Sequence, residues 1–342
     1  MSPRQRSVQP MSLAVTMGDP CGIGPELLAR VVADAAVDDL AGWVLIGPRA
    51  AFAAAFARLF PRRRSLPAGL RWVEVEEGGP FPPGAVTAAG GRAAVQAIEM
   101  AHRLCLTGEC AAMVTGPIGK EAIRLAGSPF AGHTDMLQAL AGVPATRMAM
   151  VFGRWRVVMT TLHVAWRDVS RLLTETAVYE TIMAAHEAFA TARRPFPVIA
   201  VAGLNPHAGE HGLFGDEEER AIGPAIARAR AVNPNVSGPW PADSLFKAER
   251  RRVTDVFVAQ THDQGLIAIK TLGGLRCVNV TLGLPYIRTS VGHGTAYDIA
   301  GQGRADHRGL LAALTLARRM ALARRPSSLA VSREALGRSG AP

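Results

Sequence analysis

The sequence predicts an α/β fold, on three observations. Short β-rich apolar runs alternate with longer stretches of helical spacing, most of the runs end in polar, glycine-containing loops, and 342 residues at 49% hydrophobic exceed the needs of one ordinary core. Either two intimately joined domains or one large α/β unit is expected. No GxGxxG lies between a strand and a helix, so the fold is not that of a Rossmann dinucleotide domain.

The elements follow in order. After a polar arm, residues 1–10, SLAVTMGDP (12–20) reads as a buried strand running into a Gly-Asp-Pro turn. GIGPELLARVVADAA (22–36) reads as a helix, with Pro25 and Glu26 in its first turn, where a missing N–H and a negative charge are both tolerated. WVLIG (43–47) is a strand, an alanine-rich helix follows Pro48, GRAAVQAIEMAHRLCLTG (91–108) is a helix, and CAAMVTGPIG (110–119) is a strand entering a turn. VVMTTLH (157–163), VIAVAGLNPH (198–207), VFVAQTH (256–262) and VNVTLG (278–283) are further β-rich runs. The final residues, 331–342, mix Ser, Gly, Pro and Arg and are expected to fray, as is the first arm.

Composition narrows the partners. With 38 Lys plus Arg against 28 Asp plus Glu, the formal charge is +10, which suits nucleic acid, a membrane surface or a small anion. The arginines are scattered, clumping mainly at Arg62–Arg64, at Arg250–Arg252 and from Arg318. No nucleic-acid module is visible and aromatics are only 6%, so a nucleic-acid partner is not expected. Cys21, Cys105, Cys110 and Cys277 have no CxxC spacing and read as free thiols of a reducing compartment. With no signal-type apolar segment and no stretch of about 18 apolar residues, a cytoplasmic protein off the membrane is expected.

Three histidines stand at the ends of β-rich runs: His163 in TTLHVAWRDV, His207 in LNPHAGEHG and His262 in THDQGL. Strand ends of an α/β sheet face the ligand crevice, and three imidazoles with open positions make a Lewis-acid metal site. The alternative is three satisfied polar side chains. The apolar run LIAIK ends in Lys270, one of only three lysines, and Asn279 and Arg288 follow at intervals of nine. A point charge, an amide and a bidentate fork can cradle a phosphate or carboxylate, and these three sit among apolar and glycine residues rather than on a polar segment. In AGSPFAGHTDML, His133 and Thr134 open a helix whose N-terminus can hold an anion. TGPIGK supplies another turn and Lys120.

GDPCGIGPE (18–26) and HGTAYDIAGQGRAD (293–306) resemble the GDGIGPE opening and HGSAPDIAG cofactor loop of the isocitrate and isopropylmalate dehydrogenases, which bind NAD(P) without a Rossmann fingerprint. The closer resemblance is to the 4-hydroxythreonine-4-phosphate dehydrogenase family of pyridoxal phosphate synthesis. TGPIGKEAI, AGSPFAGHT, TLHVAWRDV, GLNPHAGEHGLFGDEE, GPWPADSLF, HDQGLIAIK and VNVTLGLPYIRTS are similar to its blocks in the same order, across residues 13–306.

The resemblance implies two α/β domains flanking a cleft, 11–131 with 290–330 and 132–289. It implies a homodimer with the active site at the interface, NAD as cofactor with NADP as the variant, and one divalent ion (zinc, magnesium, cobalt or manganese) per site. The ion would be held by His163, His207 and His262, the last from the second subunit. Substrate contacts carry over to His133, Thr134, Lys270, Asn279 and Arg288, and cofactor contacts to Gly294, Thr295, Asp298, Ala300 and Gly301. The implied reaction oxidises 4-phosphohydroxy-L-threonine to 2-amino-3-oxo-4-phosphooxybutanoate, which decarboxylates to 3-amino-2-oxopropyl phosphate. Asp243, Asp263 and Lys120 are the candidate proton acceptors. Relatives oxidise four-carbon sugar-acid phosphates, D-threonate or D-erythronate 4-phosphate, and Gly292 before His293 resembles some of them. A metal-dependent hydrolase or aldolase on the same histidines would leave GIGPE and HGTAYDIAG unexplained.

Overall fold

The computed structural model describes residues 11–63, 66, 67, 69–75 and 78–323. The expected fraying of 1–10 and 331–342 lies outside them. Among the described residues there are eleven strands: β1 (Leu13–Thr16), β2 (Trp43–Ile46), β3 (Arg71–Val73), β4 (Ala112–Thr115), β5 (Arg147–Phe152), β6 (Trp155–Met159), β7 (Ile199–Ala202), β8 (Val236–Trp240), β9 (Val256–Ala259), β10 (Val278–Leu282) and β11 (Ile287–Val291). The chain forms two compact units. Of the described residues, one takes those from 11 to 159 and Asp263–Arg318, the other Thr160–His262 and 319–323.

This partition differs from the division expected at 131/132 and 289/290. The reason is strand pairing. In the first unit the order is β3-β2-β1-β4-β11-β10-β5-β6. β10 pairs antiparallel with both β11 and β5, and β11 runs parallel to β4, so the expected second-domain strands β5, β6 and β10 belong with β1 and β4. In the second unit β7 pairs in parallel with β9 and β8.

Local sequence explains the elements. LAVT of β1, WVLI of β2 and AMVT of β4 are buried at every position, the mark of parallel strands covered on both faces. The helix Ala88–Leu106 is capped by the Thr87 hydroxyl, which accepts from Gly90 N at 3.0 Å. It buries Ala93, Ala94, Ala97, Ile98, Ala101, His102 and Cys105 at helical spacing. Its Gly91 lies so close to the helix Lys120–Leu125 that a Cβ there would stand 2.0 Å from the Ala122 carbonyl oxygen. His102 is buried and pairs through Nδ1 with the Tyr286 hydroxyl at 2.7 Å.

In the second unit the helix Glu175–Phe189 is capped by Thr174 and buries Val178, Thr181, Ile182 and Ala185, its i, i+3, i+4, i+7 face. The run LIAIK is helical, part of His262–Gly273: Leu266 and Ile269 are buried, while Ile267 is exposed. No helix among the described residues is long and apolar enough to cross a membrane. All four cysteines are free and buried.

Candidate functional site

The first unit contains a buried cation with no counter-charge. Pairing of β10 with β11 sets Arg288 opposite Thr281 and Ser290 opposite Asn279, so Asn279, Thr281 and Arg288 share one face of the sheet. Arg288 is 1% exposed. Its Nη1 donates to Thr281 Oγ1 at 3.0 Å and its Nη2 to Thr115 Oγ1, at the end of β4, at 2.6 Å. Among the described residues no carboxylate pairs with it, and its Nε is buried without a partner. Burial lowers its pKa to about 10, so the guanidinium is still charged at neutral pH.

Two further orphaned atoms accompany it. His133 is the first residue of the helix His133–Ala141, and its Nε2 is buried without a partner. Burial first, and the Arg288 charge second, hold its imidazole well below the ordinary value, so it is neutral at pH 7. Asn279 Oδ1 is likewise buried and unpaired. Native interiors rarely leave such groups unsatisfied; a fixed cation and a neutral imidazole beside a helix N-terminus fit an anion, and the Asn279 Oδ1, an acceptor, fits a donor group on the same molecule. Thr134 is half-buried on the same helix. Lys270 is exposed on the helix His262–Gly273 and makes no hydrogen bond with Asn279 or Arg288, so the structure unites two of that trio.

The loops 18–26 and 293–303 are wired together in the same unit. Asp19 is fully buried and accepts from Cys21 N at 2.8 Å and from the Tyr297 hydroxyl at 2.6 Å. Burial nevertheless leaves its pKa above the ordinary carboxylate value. Ile23 N donates to Thr295 O at 2.9 Å, and Gly303 N to Glu26 Oε1 at 3.2 Å. Of the five expected cofactor residues, Thr295 and Ala300 are buried and Gly301, at φ +80°, is half-buried; Gly294 and Asp298 are exposed.

The expected metal ligands all belong to the second unit. The loop bearing His163 is pinned to the end of β9: Thr160 N donates to Ala259 O at 2.9 Å and Thr161 N to Gln260 O at 3.1 Å. Gln260 Nε2 in turn donates to Ala202 O at 2.7 Å. This holds the His163 ring 5.7 Å, centroid to centroid, from the ring of His262, the first residue of its helix. His207 sits on a different kind of loop. Residues 207, 208, 210 and 211 have φ of 53°, 54°, 42° and 56°, and Gly209 and Gly212 are also positive, so six consecutive residues are left-handed.

Each non-glycine residue in that conformation costs about 1–2 kcal/mol. The loop is held by a buried carboxylate: Glu218 accepts from Leu204 N at 2.7 Å, Asn205 N at 2.8 Å and Asn205 Nδ2 at 2.9 Å. Glu217 is lowered: burial opposes the shift, and hydrogen bonds from Ser170 and Asn205 overcome it. Such strain persists where surrounding structure over-determines it, often at functional sites. The imidazoles suit a divalent ion chemically, but among the described residues no three His, Cys, Asp or Glu side chains stand close enough to share one. Within the chain, therefore, His163 and His262 come together and His207 does not join them.

The three candidate proton acceptors, Asp243, Asp263 and Lys120, are all exposed at the starts of helices. Sequence reasoning did not single out Thr115, Thr281, Asp19, Tyr297, Gln260 or Glu218. All but Gln260 carried a signal, by lying inside the segments that resemble the family.

A family model described as pyridoxal phosphate biosynthetic protein PdxA matches residues 47–317. The chain is 43% identical over 325 residues to a 4-hydroxythreonine-4-phosphate dehydrogenase of Geobacter metallireducens, covering 90% of this chain and 95% of the relative. To a D-threonate 4-phosphate dehydrogenase of Cupriavidus necator it is 40% identical over 320 residues, covering 88% and 95%. The solved structure of a 4-hydroxythreonine-4-phosphate dehydrogenase from Klebsiella pneumoniae is similar with a TM-score of 0.83 at 37% identity, covering 93% of this chain and 99% of that one.

Proposed function

The chain belongs to the pyridoxal phosphate biosynthetic protein PdxA family, and from that premise we propose that it is an NAD-dependent, divalent-metal-dependent dehydrogenase of 4-phosphohydroxy-L-threonine. The observation that carries the reading is the buried, uncompensated Arg288 with the orphaned atoms of His133 and Asn279. A phosphorylated substrate supplies the missing charge. The proposed enzyme is a cytoplasmic homodimer, in keeping with four unpaired cysteines and an incomplete set of metal ligands in one chain.

In this reading Arg288, His133, Thr134 and Asn279 grip the phosphate, with Lys270 as an exposed further cation. Arg288 supplies charge, and neutral His133 donates or accepts a proton in a hydrogen bond without adding to it. His163, His207 and His262 would hold the divalent ion, which when bound makes the substrate hydroxyl more acidic. One of Asp243, Asp263 and Lys120 would take the proton from the hydroxyl oxygen, and a nicotinamide held by the loop 293–303 would supply the acceptor for the hydride of the carbon that bears that hydroxyl. The product, 2-amino-3-oxo-4-phosphooxybutanoate, is a 3-oxo acid. Its carboxylate can leave as CO2 because the adjacent ketone accepts the electron pair, giving 3-amino-2-oxopropyl phosphate after protonation.

A second reading, oxidation of D-threonate or D-erythronate 4-phosphate, is favoured by the similarity to the Cupriavidus necator enzyme. The anion pocket serves it equally well. NADH formation by the purified protein supplied with divalent ion decides the matter. Preference for 4-phosphohydroxy-L-threonine supports the first reading, and preference for a sugar-acid phosphate replaces it with the second.

A further inference from the structure

We propose that Tyr297 and Asp19 form a latch that fixes the cofactor loop 293–303 in its binding shape, which makes both of them positioning residues for the nicotinamide cofactor. The proposal rests on the reading of that loop as the cofactor site.

Three glycine-bearing loops converge on the Tyr297 hydroxyl. The first, at the end of β1, brings the buried Asp19 carboxylate, which accepts from that hydroxyl at 2.6 Å. The second follows β4. Asp19 N donates to Pro117 O at 2.9 Å, and a Cβ on Gly119 would stand 2.1 Å from the Tyr297 hydroxyl oxygen. The phenol therefore fits only because position 119 has no side chain. The third loop is the cofactor loop itself, where Ala296, at φ +43°, is a left-handed non-glycine residue immediately before Tyr297.

That conformation costs about 1–3 kcal/mol and needs restraint on both sides. It has it: Thr295 O accepts from Ile23 N at 2.9 Å before Ala296, and Tyr297 is tied to Asp19 after it. Gly294 and Asp298, the two exposed cofactor candidates, lie just outside these anchors. The anchored residues thus shape the loop, and the exposed ones are left to meet a ligand. Burial, and then the facing carboxylate, raise the phenol's pKa further above neutrality, so it remains a donor throughout the working range.

Tyr297→Phe removes one oxygen and keeps the ring. NADH binding, followed by its fluorescence, is expected to weaken about tenfold, the worth of one hydrogen bond to a charged group. The KM for NAD should rise in parallel, with kcat and the KM of the phosphorylated substrate changing less than about twofold. Gly119→Ala, which pushes on the same hydroxyl from the other side, should have at least the same effect on cofactor binding. Equal NADH affinity in wild type and Tyr297→Phe overturns the latch, as does a loss confined to kcat. Wild-type protein that binds no NADH overturns the cofactor reading and the latch with it.

Discussion

Around Arg288 the hydrogen bonds of the guanidinium go to residues of regular strands, Thr281 of β10 and Thr115 of β4. Around His207 the chain runs left-handed for six residues and is held by the buried carboxylate of Glu218. The Arg288 cluster is fixed by strand pairing, and its cost is an unpaired charge in the core. The His207 loop is exposed, and its cost is backbone strain. Strand register places a charge firmly, whereas metal ligands can stay on loops because coordination itself completes their geometry.

The largest effect expected from breaking this contrast is at Arg288. Burial lowers its pKa on folding from the ordinary arginine value to about 10, a penalty on the order of 3 kcal/mol. The folded state binds fewer protons than the unfolded one between those values. The penalty is therefore present throughout the range below about pH 10 and is relieved as pH rises through the window. Arg288→Met should lower kcat/KM for the phosphorylated substrate roughly 10²–10³-fold, yet leave Tm within a few degrees of wild type. Inorganic phosphate should raise Tm in wild type and not in the variant; a phosphate-stabilised Arg288→Met would remove Arg288 from the anion site.

Next in size are the histidines. His163→Ala and His262→Ala should each weaken binding of divalent ion by more than about tenfold, read as metal content after dialysis. Full retention of metal in both variants would dismiss the pair as ligands. Smaller is Glu218→Gln, which keeps the shape and loses a charge-assisted bond to the His207 loop. It should cost about 1–3 kcal/mol, seen as a Tm several degrees lower. Smallest is thiol reactivity: burial raises Cys110 to about 11 and Cys105 further, so alkylation of the folded protein at pH 8 should be negligible until denaturant is added.

Much of the fold was legible because the strands are buried apolar runs, as in LAVT and VFVA, and because Pro25 and Glu26 mark the start of a helix. Arg288 and Asn279 were legible as candidates too, since they interrupt runs that are otherwise apolar. Their supports were not: Thr281 meets Arg288 only once β10 and β11 pair in this register, and Thr115 only because the distant β4 lies beside β11. The partition differs from the expected division because β10 pairs on one side with its chain neighbour β11 and on the other with β5, which is remote in sequence. In PHAGEHG only Gly209 and Gly212 point to left-handed backbone, and nothing announces that His207, Ala208, Glu210 and His211 join them.

The most direct measurement is the rate of NADH formation from 4-phosphohydroxy-L-threonine and from the same amino acid without its phosphate. The protein would be purified and supplied with divalent ion. If Arg288 and its orphaned neighbours exist to receive a phosphate, kcat/KM should fall by at least about a hundredfold when the phosphate is absent. Equal turnover of the two compounds would contradict the claim that this buried charge selects the substrate.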